Sequence, residues 1–287
     1  MRVLFFGYSQ IGYRAVKLLA ERGDDVTAVV THRDDPHENR WYKTPAEAAA
    51  EHGFPVIYSE DLGPGGAEEL AERLAPDLVL SVFYRDLLSA RVLSAPRLAA
   101  LNLHPSLLPA YRGRAPINWV LVNGETETGI TLHHMTAKAD AGDIVAQRAV
   151  PIAPRDTALS LYLKVEQAGI ELLAEALPLV AAGRAPRIPQ DLSRSTYFGR
   201  RRPADGRIDW SWPAARVDCL VRAVAPPWPG AFGDLEGRRV VVAAGEPDGP
   251  LPSSTAPGTV RREDGHLFVA TGDRWFRIDA SEGIDHP

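Results

Sequence analysis

"RVLFFGYSQIGYRAVKLLAERGDDVTAVVTH", residues 2–32, runs from a compact apolar segment (2–6) through a stretch with helical spacing (10–23) into a second apolar segment (25–32). Apolar runs without alternation belong to strands covered on both faces, as in a parallel sheet whose crossovers are helices. The pattern continues through "TPAEAAAEHG" (44–53), "PVIYS" (55–59), "GGAEELAERLA" (65–75) and "DLVLSVF" (77–83). The implied fold class is α/β, a doubly wound, mostly parallel sheet. Gly7 and Gly12 sit after the first strand, but the GxGxxG spacing is absent, which argues against a nicotinamide dinucleotide site. Gly23 reads as the C-terminal cap of the first helix.

Outward from this half, "AALNLHPS" (99–106), "GITLHHMT" (129–136) and "DIVAQRAVPI" (143–152) read as further strands, and "PINWVLVNG" (116–124) as a short helix. A long helix follows, with Asp156 as N-cap, an apolar stripe through Leu159, Tyr162, Val165, Leu172, Leu173, Ala176 and Val180, and Gly183 as its stop. Beyond it the texture changes to short runs, "RRVVVAA" (238–244), "GTVRRE" (258–263), "HLFVATG" (266–272) and "WFRIDA" (275–280), set apart by Gly, Pro and Asp. The expected organisation is a catalytic domain over 1–190, then a linker and a small antiparallel, OB-like β domain over 191–287.

Composition narrows the partners. A net charge of -5 lacks the basic excess of a nucleic-acid-binding surface, and 45% hydrophobic residues can build a sizeable core. The single cysteine, Cys219, forms no intramolecular disulfide and fits a reducing compartment, the cytoplasm. No segment reaches the ~18 apolar residues of a membrane span, and "MRVLFFGYS" reads as a strand, not a signal sequence.

Asn102 and His104 lie two apart on one strand and so share a face, at the rim where Pro105 ends the strand. Ligands of open α/β sheets bind beyond the carboxyl ends of strands. Downstream, "KADAGDIVAQ" (138–147) places Asp140 in a turn. An Asn, His and Asp trio can serve acyl transfer to an amine: amide and imidazole donors stabilise an oxyanion, and a carboxylate handles the proton of the attacking nitrogen. His133, Asp143, Trp119 and Trp228 read as packing or turn residues, and His134 as exposed.

"LNLHPSLLPAYRGRAPINWVLVNGETETGITLHHM" (101–135), "KADAGDIVAQ", "YFGRR" (197–201) and "RAVAPPWPGAF" (222–232) resemble the folate-dependent formyltransferases. The nearest resemblance is to the formyltransferase domain of the bifunctional enzymes that formylate UDP-4-amino-4-deoxy-L-arabinose, and it runs to about residue 232. It implies a Rossmann-like catalytic domain, catalytic roles for Asn102, His104 and Asp140, 10-formyltetrahydrofolate as formyl donor, and no metal. It places His104 at the formyl oxygen. It also implies that "YRDLL" (84–88), with Tyr84, Arg85, Leu87 and Leu88, receives the pterin partly through backbone groups. Tyr8, Ser106, Arg112 and Arg114 are the candidate acceptor contacts: guanidinium, at Arg85, Arg112 and Arg114, suits the diphosphate of a sugar nucleotide, the expected partner, or the glutamyl tail of folate, and Ser106 suits a ligand hydrogen bond or a cap on the following turn.

Departures shape the acceptor. Methionyl-tRNA formyltransferases carry a basic insertion after the second strand, whereas "THRDDPHENRWYKTP" (31–45) mixes acids and bases. The decarboxylase half of the bifunctional enzymes has no counterpart in the sequence, so a free-standing sugar enzyme or a natural-product enzyme acting on an amine such as hydroxyornithine fits as well. A formyltetrahydrofolate hydrolase, a noncatalytic folate- or nucleotide-binding module, and a homodimeric assembly stay open at this point.

Overall fold

The computed structural model describes residues 1–36 and 39–283; residues 37–38 of the mixed-charge loop and 284–287 of the C-terminal region lie outside the described residues. The chain divides into two compact units, one of Met1–Gly113, Thr128–Pro151 and Lys164–Tyr197, the other of Arg114–Glu127, Ile152–Leu163 and Phe198–Pro287.

The first unit is built on a seven-stranded sheet. Its elements are β1 (Arg2–Gly7), α1 (Ser9–Glu21), β2 (Asp25–Thr31), α2 (Pro45–His52), β3 (Val56–Tyr58), α3 (Gly66–Leu74), β4 (Leu78–Val82), α4 (Ala90–Ser94) and β5 (Ala99–His104). The short β6 (Arg112–Gly113) and helix α5 (Pro116–Val122) precede β7 (Glu127–His134) and β8 (Ile144–Pro151). Sheet order is β3-β2-β1-β4-β5-β7-β8. β1, β2, β3, β4 and β5 pair in parallel, and β7 returns antiparallel to β5. The chain leaves β3 at one edge and re-enters on the far side of β1, so the β1/β4 crevice is a switch point, where open α/β sheets bind ligands.

The strands read as apolar runs because both faces are covered. Leu4, Phe6, Val30, Leu70 and Val79 form a buried cluster on which Tyr84, Leu88 and Met135 also pack. From Lys164 onward, helix α6 (Ala158–Ala181) packs within this unit. A Cβ on its Gly169 would lie 2.6 Å from Ile130 and 3.3 Å from Leu103, so glycine there allows close helix–sheet contact. Arg14 of α1 meets the buried Glu166 of α6 at 3.0 Å. The N-cap of α6 is Thr157 rather than Asp156: Ser160 N–H donates to Thr157 Oγ1 and Thr157 N–H to Ser160 Oγ, while Asp156 accepts from Ala153 N–H and the Ser160 hydroxyl. Gly183, at φ 66°, follows its end, and Gly23, at φ 72°, follows α1.

After the two-residue strand β9 (Tyr197–Phe198), the second unit continues with α7 (Ala214–Val224), β10 (Ala231–Leu235), β11 (Arg238–Pro250), β12 (Val260–Glu263), β13 (His266–Ala270) and β14 (Arg274–Glu282). The last five form an antiparallel sheet in the order β10-β11-β14-β13-β12, with β10 and β12 at its edges among the described residues. Trp210, Val217, Leu220, Val221, Val240, Phe276 and Ile278 make a separate buried core between α7 and this sheet, with Trp228 packed on it.

β7 and β8 run close together at Gly129, where an added Cβ would fall 2.4 Å from the Arg148 carbonyl oxygen, a backbone atom that cannot step aside. Gly129→Ala is expected to cost about 1–3 kcal/mol, as overpacking does, read as a lower urea midpoint with unchanged m-value.

Candidate active site

Four parallel strands end on the same edge of the sheet, and the residues that follow them carry the predicted site. Tyr8 follows β1, His32 follows β2, Tyr84 and Arg85 follow β4, and His104 closes β5. The antiparallel register of β5 on β7 sets Asn102 opposite His133 and His104 opposite Thr131. Both imidazoles are buried, because β7 is an interior strand.

Asp140 reaches this pair from the turn between β7 and β8. Its backbone lies at φ 52°, in the left-handed region that aspartate tolerates better than most residues. Gly142 is forced: a Cβ there would lie 1.9 Å from the His134 carbonyl oxygen. Gln190 Nε2 donates to the Asp140 carbonyl at 3.0 Å and the Gly142 carbonyl at 2.6 Å. Arg112 donates from Nε to the Ala139 carbonyl at 3.1 Å, with Nη2 on the same oxygen. The turn is thus clamped from both sides. One carboxylate oxygen, Oδ2, accepts the Gly113 backbone N–H at 2.9 Å; the other, Oδ1, stands 3.6 Å from His104 Nδ1 and 3.6 Å from His133 Nε2.

The outer ring nitrogens fix the tautomers. His104 Nε2 is 2.9 Å from the Tyr111 carbonyl, and His133 Nδ1 is 2.9 Å from the His134 carbonyl. A carbonyl only accepts, so each of these nitrogens carries the proton. His133 Nε2 is then the acceptor for Asn102 Nδ2 at 3.1 Å. Among the described residues no group of three or more His, Cys, Asp or Glu is arranged to hold a metal ion.

Burial pushes the His104 pKa below its ordinary value, against the opposing pull of Asp140. Burial alone would raise Asp140, but the neighbouring His104 and His133 rings and the Gly113 N–H hold its carboxyl well below the usual carboxylate range. At neutral pH the cluster is therefore a carboxylate beside a neutral His104 imidazole.

The remaining predicted residues divide. The Arg112 guanidinium is buried on the Asp140 turn, and the buried Ser106 hydroxyl donates to the Ala110 carbonyl at 2.7 Å, so both build the site rather than face an acceptor. Tyr8 and Arg85 form one cluster: the guanidinium lies 4.0 Å above the Tyr8 ring, and Arg85 N–H donates to His32 Nε2 at 3.2 Å. Tyr84 stacks on His32 at 4.6 Å and shares a hydrogen bond with Ser59 at 2.7 Å. Leu87 is 80% exposed, whereas Leu88 packs inward. Arg114 belongs to the second unit, where its backbone N–H donates to the Phe198 carbonyl at 2.9 Å. His134, expected to be exposed, is buried and donates from Nε2 to the Pro186 carbonyl at 3.1 Å.

A cavity of about 330 Å³ opens beside the Asp140 turn, where Leu93, Ala100 and Met135 line it together with Thr136, Gly142 and Asp143. Apolar side chains beside polar groups suit a flat, hydrogen-bonding heteroaromatic ring.

Residues 1–177 match the formyl transferase family and residues 201–282 the formyl transferase C-terminal domain. A variant of HypX from Aquifex aeolicus is similar over 98% of this chain at 24% identity and a TM-score of 0.68, but the chain spans only 44% of HypX. An N-formyltransferase from Helicobacter canadensis, solved with folinic acid and dTDP-3-aminofucose, is 18% identical over 97% of this chain and 99% of its own, at a TM-score of 0.77. A 4-N formyltransferase from Francisella tularensis is 21% identical over 85% of this chain and 97% of its own, at a TM-score of 0.66.

Acid should loosen the fold through its histidines. Burial lowers the pKa of His32, His104 and His134, so each binds a proton more readily in the unfolded chain. Their contribution is complete above the unfolded value near ~6.5 and is lost as pH falls through it; Asp140, whose pKa is also lowered, extends the loss below ~4. Urea midpoints are expected to drop steadily between about pH 8 and pH 5, with a shallower slope in His134→Gln.

Proposed function

The chain belongs to the formyl transferase family, and from that premise we propose that it carries a formyl group from 10-formyltetrahydrofolate to the primary amine of a nucleotide-linked 4-aminosugar, with UDP-4-amino-4-deoxy-L-arabinose as the first acceptor to test. The observation that carries this reading is the convergence of Asn102, His104 and Asp140 in one buried cluster beside a cavity suited to a pterin. The folinic acid held by the Helicobacter canadensis enzyme supports the donor, and its aminosugar nucleotide supports the acceptor class.

The donor supplies an activated formyl carbon; the rest falls to this chain. Leu93, Ala100, Met135, Ala141 and Gly142 would seat the pterin. Asn102, with one N–H held by His133, has a second N–H to aim at the formyl oxygen as negative charge develops there. His104 takes a different part from the one its motif implies: its Nε2–H is engaged by the Tyr111 carbonyl, so the ring works on the proton side, with Nδ1 facing Asp140. Asp140, ionised at neutral pH, draws the proton from the attacking amine directly or through a water.

A tRNA acceptor is disfavoured by the loop after β2. Arg33 pairs with Asp61 at 2.6 Å, and Arg40 with Asp34 at 2.5 Å and Glu47 at 2.6 Å, so its guanidinium charge is met within the fold rather than massed for a phosphate backbone.

Mass spectrometry after incubation with 10-formyltetrahydrofolate and UDP- or dTDP-4-aminosugars, hydroxyornithine or initiator methionyl-tRNA tests the proposal. A gain of one formyl group on a sugar nucleotide is expected; formylation of another amine alone would replace the acceptor, and formate without product would replace transfer by hydrolysis. His104→Ala and Asp140→Asn are each expected to lower the rate by roughly two to four powers of ten.

A further inference from the structure

The end of β2 reaches past the end of β1 and holds the loop that follows β4. Sheet order puts β1 between them, yet His32, the residue after β2, is tied to two consecutive residues of the 83–88 loop. Its buried ring stacks on Tyr84, with centroids 4.6 Å apart and planes 23° from parallel, and its Nε2 accepts the Arg85 backbone N–H at 3.2 Å. A second tie runs beside the first. The Ser59 hydroxyl donates to the Thr31 carbonyl at 3.1 Å, so the Tyr84 hydroxyl, 2.7 Å away, donates to Ser59 Oγ. Tyr8, after β1, meets the His32 ring edge-on at 5.8 Å.

An accepting nitrogen carries no proton, so neutral His32 holds its proton on Nδ1, which faces Glu60 Oε1 at 3.5 Å. The loop needs such a restraint. Phe83 enters it at φ 57°, a left-handed backbone that a bulky residue keeps only where its surroundings over-determine it. The loop is also coupled to the cavity beside the Asp140 turn: Tyr84 and Leu88 pack on the same apolar cluster as the cavity-lining Leu93, Ala100 and Met135.

We propose that His32 is a positioning residue for the formyl donor: its neutral ring latches the 83–88 loop through the Arg85 N–H and the Tyr84 ring, and its protonation releases the loop and weakens donor binding. The identity of the ligand rests on the formyl-transfer reading, the latch on geometry alone. A proton added at Nε2 turns the acceptor of the Arg85 N–H into a second donor, so two N–H groups oppose each other and the main-chain group loses its partner.

The charged groups facing the imidazole divide. Glu60, from the turn after β3, and Asp86, from the loop itself, favour the added proton, and the Arg85 guanidinium opposes it. Burial raises the Tyr84 pKa, so its phenol stays neutral. Arg33, next to His32, donates its backbone N–H to the Glu60 carboxylate at 3.3 Å and commits its guanidinium to Asp61 at 2.6 Å. Burial outweighs the two carboxylates and holds the His32 pKa below its ordinary value. The latch is therefore closed above the ordinary histidine value near ~6.5 and opens as pH falls through the lower folded value.

Folinic acid, a stable formylated folate, is the probe, titrated calorimetrically between about pH 5.5 and pH 8. The unmodified protein is expected to lose about tenfold in affinity towards the acid end, as loss of one hydrogen bond does. His32→Gln keeps a side-chain acceptor for the Arg85 N–H but takes no proton; it should bind within about threefold of the unmodified protein at pH ~7.5 and stay within about threefold of that value down to pH ~5.5. His32→Leu has no acceptor and should bind about tenfold more weakly throughout, with donor KM raised alike and kcat at saturating donor lowered less than about threefold. Without any ligand, ¹⁵N NMR of the unmodified protein should place the His32 proton on Nδ1 at about pH 7.5 and show the Arg85 amide titrating with the midpoint of the His32 ring. A His32 ring protonated on Nε2, or an Arg85 amide that ignores the ring, would overturn the latch. So would a His32→Gln protein whose affinity falls with acid as steeply as that of the unmodified one, or a His32→Leu protein with undiminished affinity. An unmodified protein that binds no folinic acid at any pH would strike the formyl-transfer reading instead, and the NMR result would then decide the latch by itself.

Discussion

A carboxylate that must stay charged inside the protein governs this site. Asp140 is largely withdrawn from water, and an ionised carboxyl in such a place is tolerated only when its charge is met by fixed donors and positive partners. The Gly113 N–H supplies the donor, and its supply depends on the chain passing β6 in a set path: Arg112 N–H donates to the Thr196 carbonyl and Arg112's guanidinium closes on the Ala139 carbonyl. The left-handed backbone at Asp140 and the glycine at position 142 complete the turn. Strained backbone at such a position persists because the surroundings over-determine it.

The second constraint is the direction of β7. The first five strands of the sheet run parallel, and a parallel β7 would have required a crossover and set a different register. Its antiparallel return places Asn102 and His133 directly opposite one another, and the turn that follows carries Asp140 onto the His104 and His133 rings. Side chains separated by 31 and 36 positions in sequence become neighbours through one pairing choice.

The fold class was legible because unbroken apolar runs and helical spacing are local signals: "RVLFF" (2–6) lies within β1, and β4 lies within "DLVLSVF" (77–83). The pairing of Asn102 with His104 was legible for the same reason, since two residues two apart on a strand must share a face. What stayed hidden required tertiary knowledge. Arg112 and Ser106 looked like ligand contacts because their chemistry suits anions and hydroxyls, but each meets a buried carbonyl of its own chain. His133 reads as packing and His134 as exposed; β8 covers the edge of β7, and both rings go inside. His32 gave no signal at all, since its place under Tyr84 and Arg85 depends on β2, β1 and β4 lying side by side.

Main-chain carbonyls, rather than side chains, set the tautomers of His104 and His133, and this matters for how the cluster can work. A side-chain acceptor can rotate, protonate or be replaced by water; a backbone carbonyl in a strand or tight turn cannot. The Tyr111 and His134 carbonyls therefore act as fixed electrostatic references that keep the outer protons in place while the inner nitrogens remain available. The His134 carbonyl carries a further load, because Gly142 packs directly against it. The atom that fixes the His133 tautomer is thus the atom against which the Asp140 turn is seated. A displacement of that turn would disturb the carboxylate and the imidazole together, so the geometry of the proton acceptor and the orientation of the Asn102 amide are determined by one stretch of backbone, from His133 to Asp143.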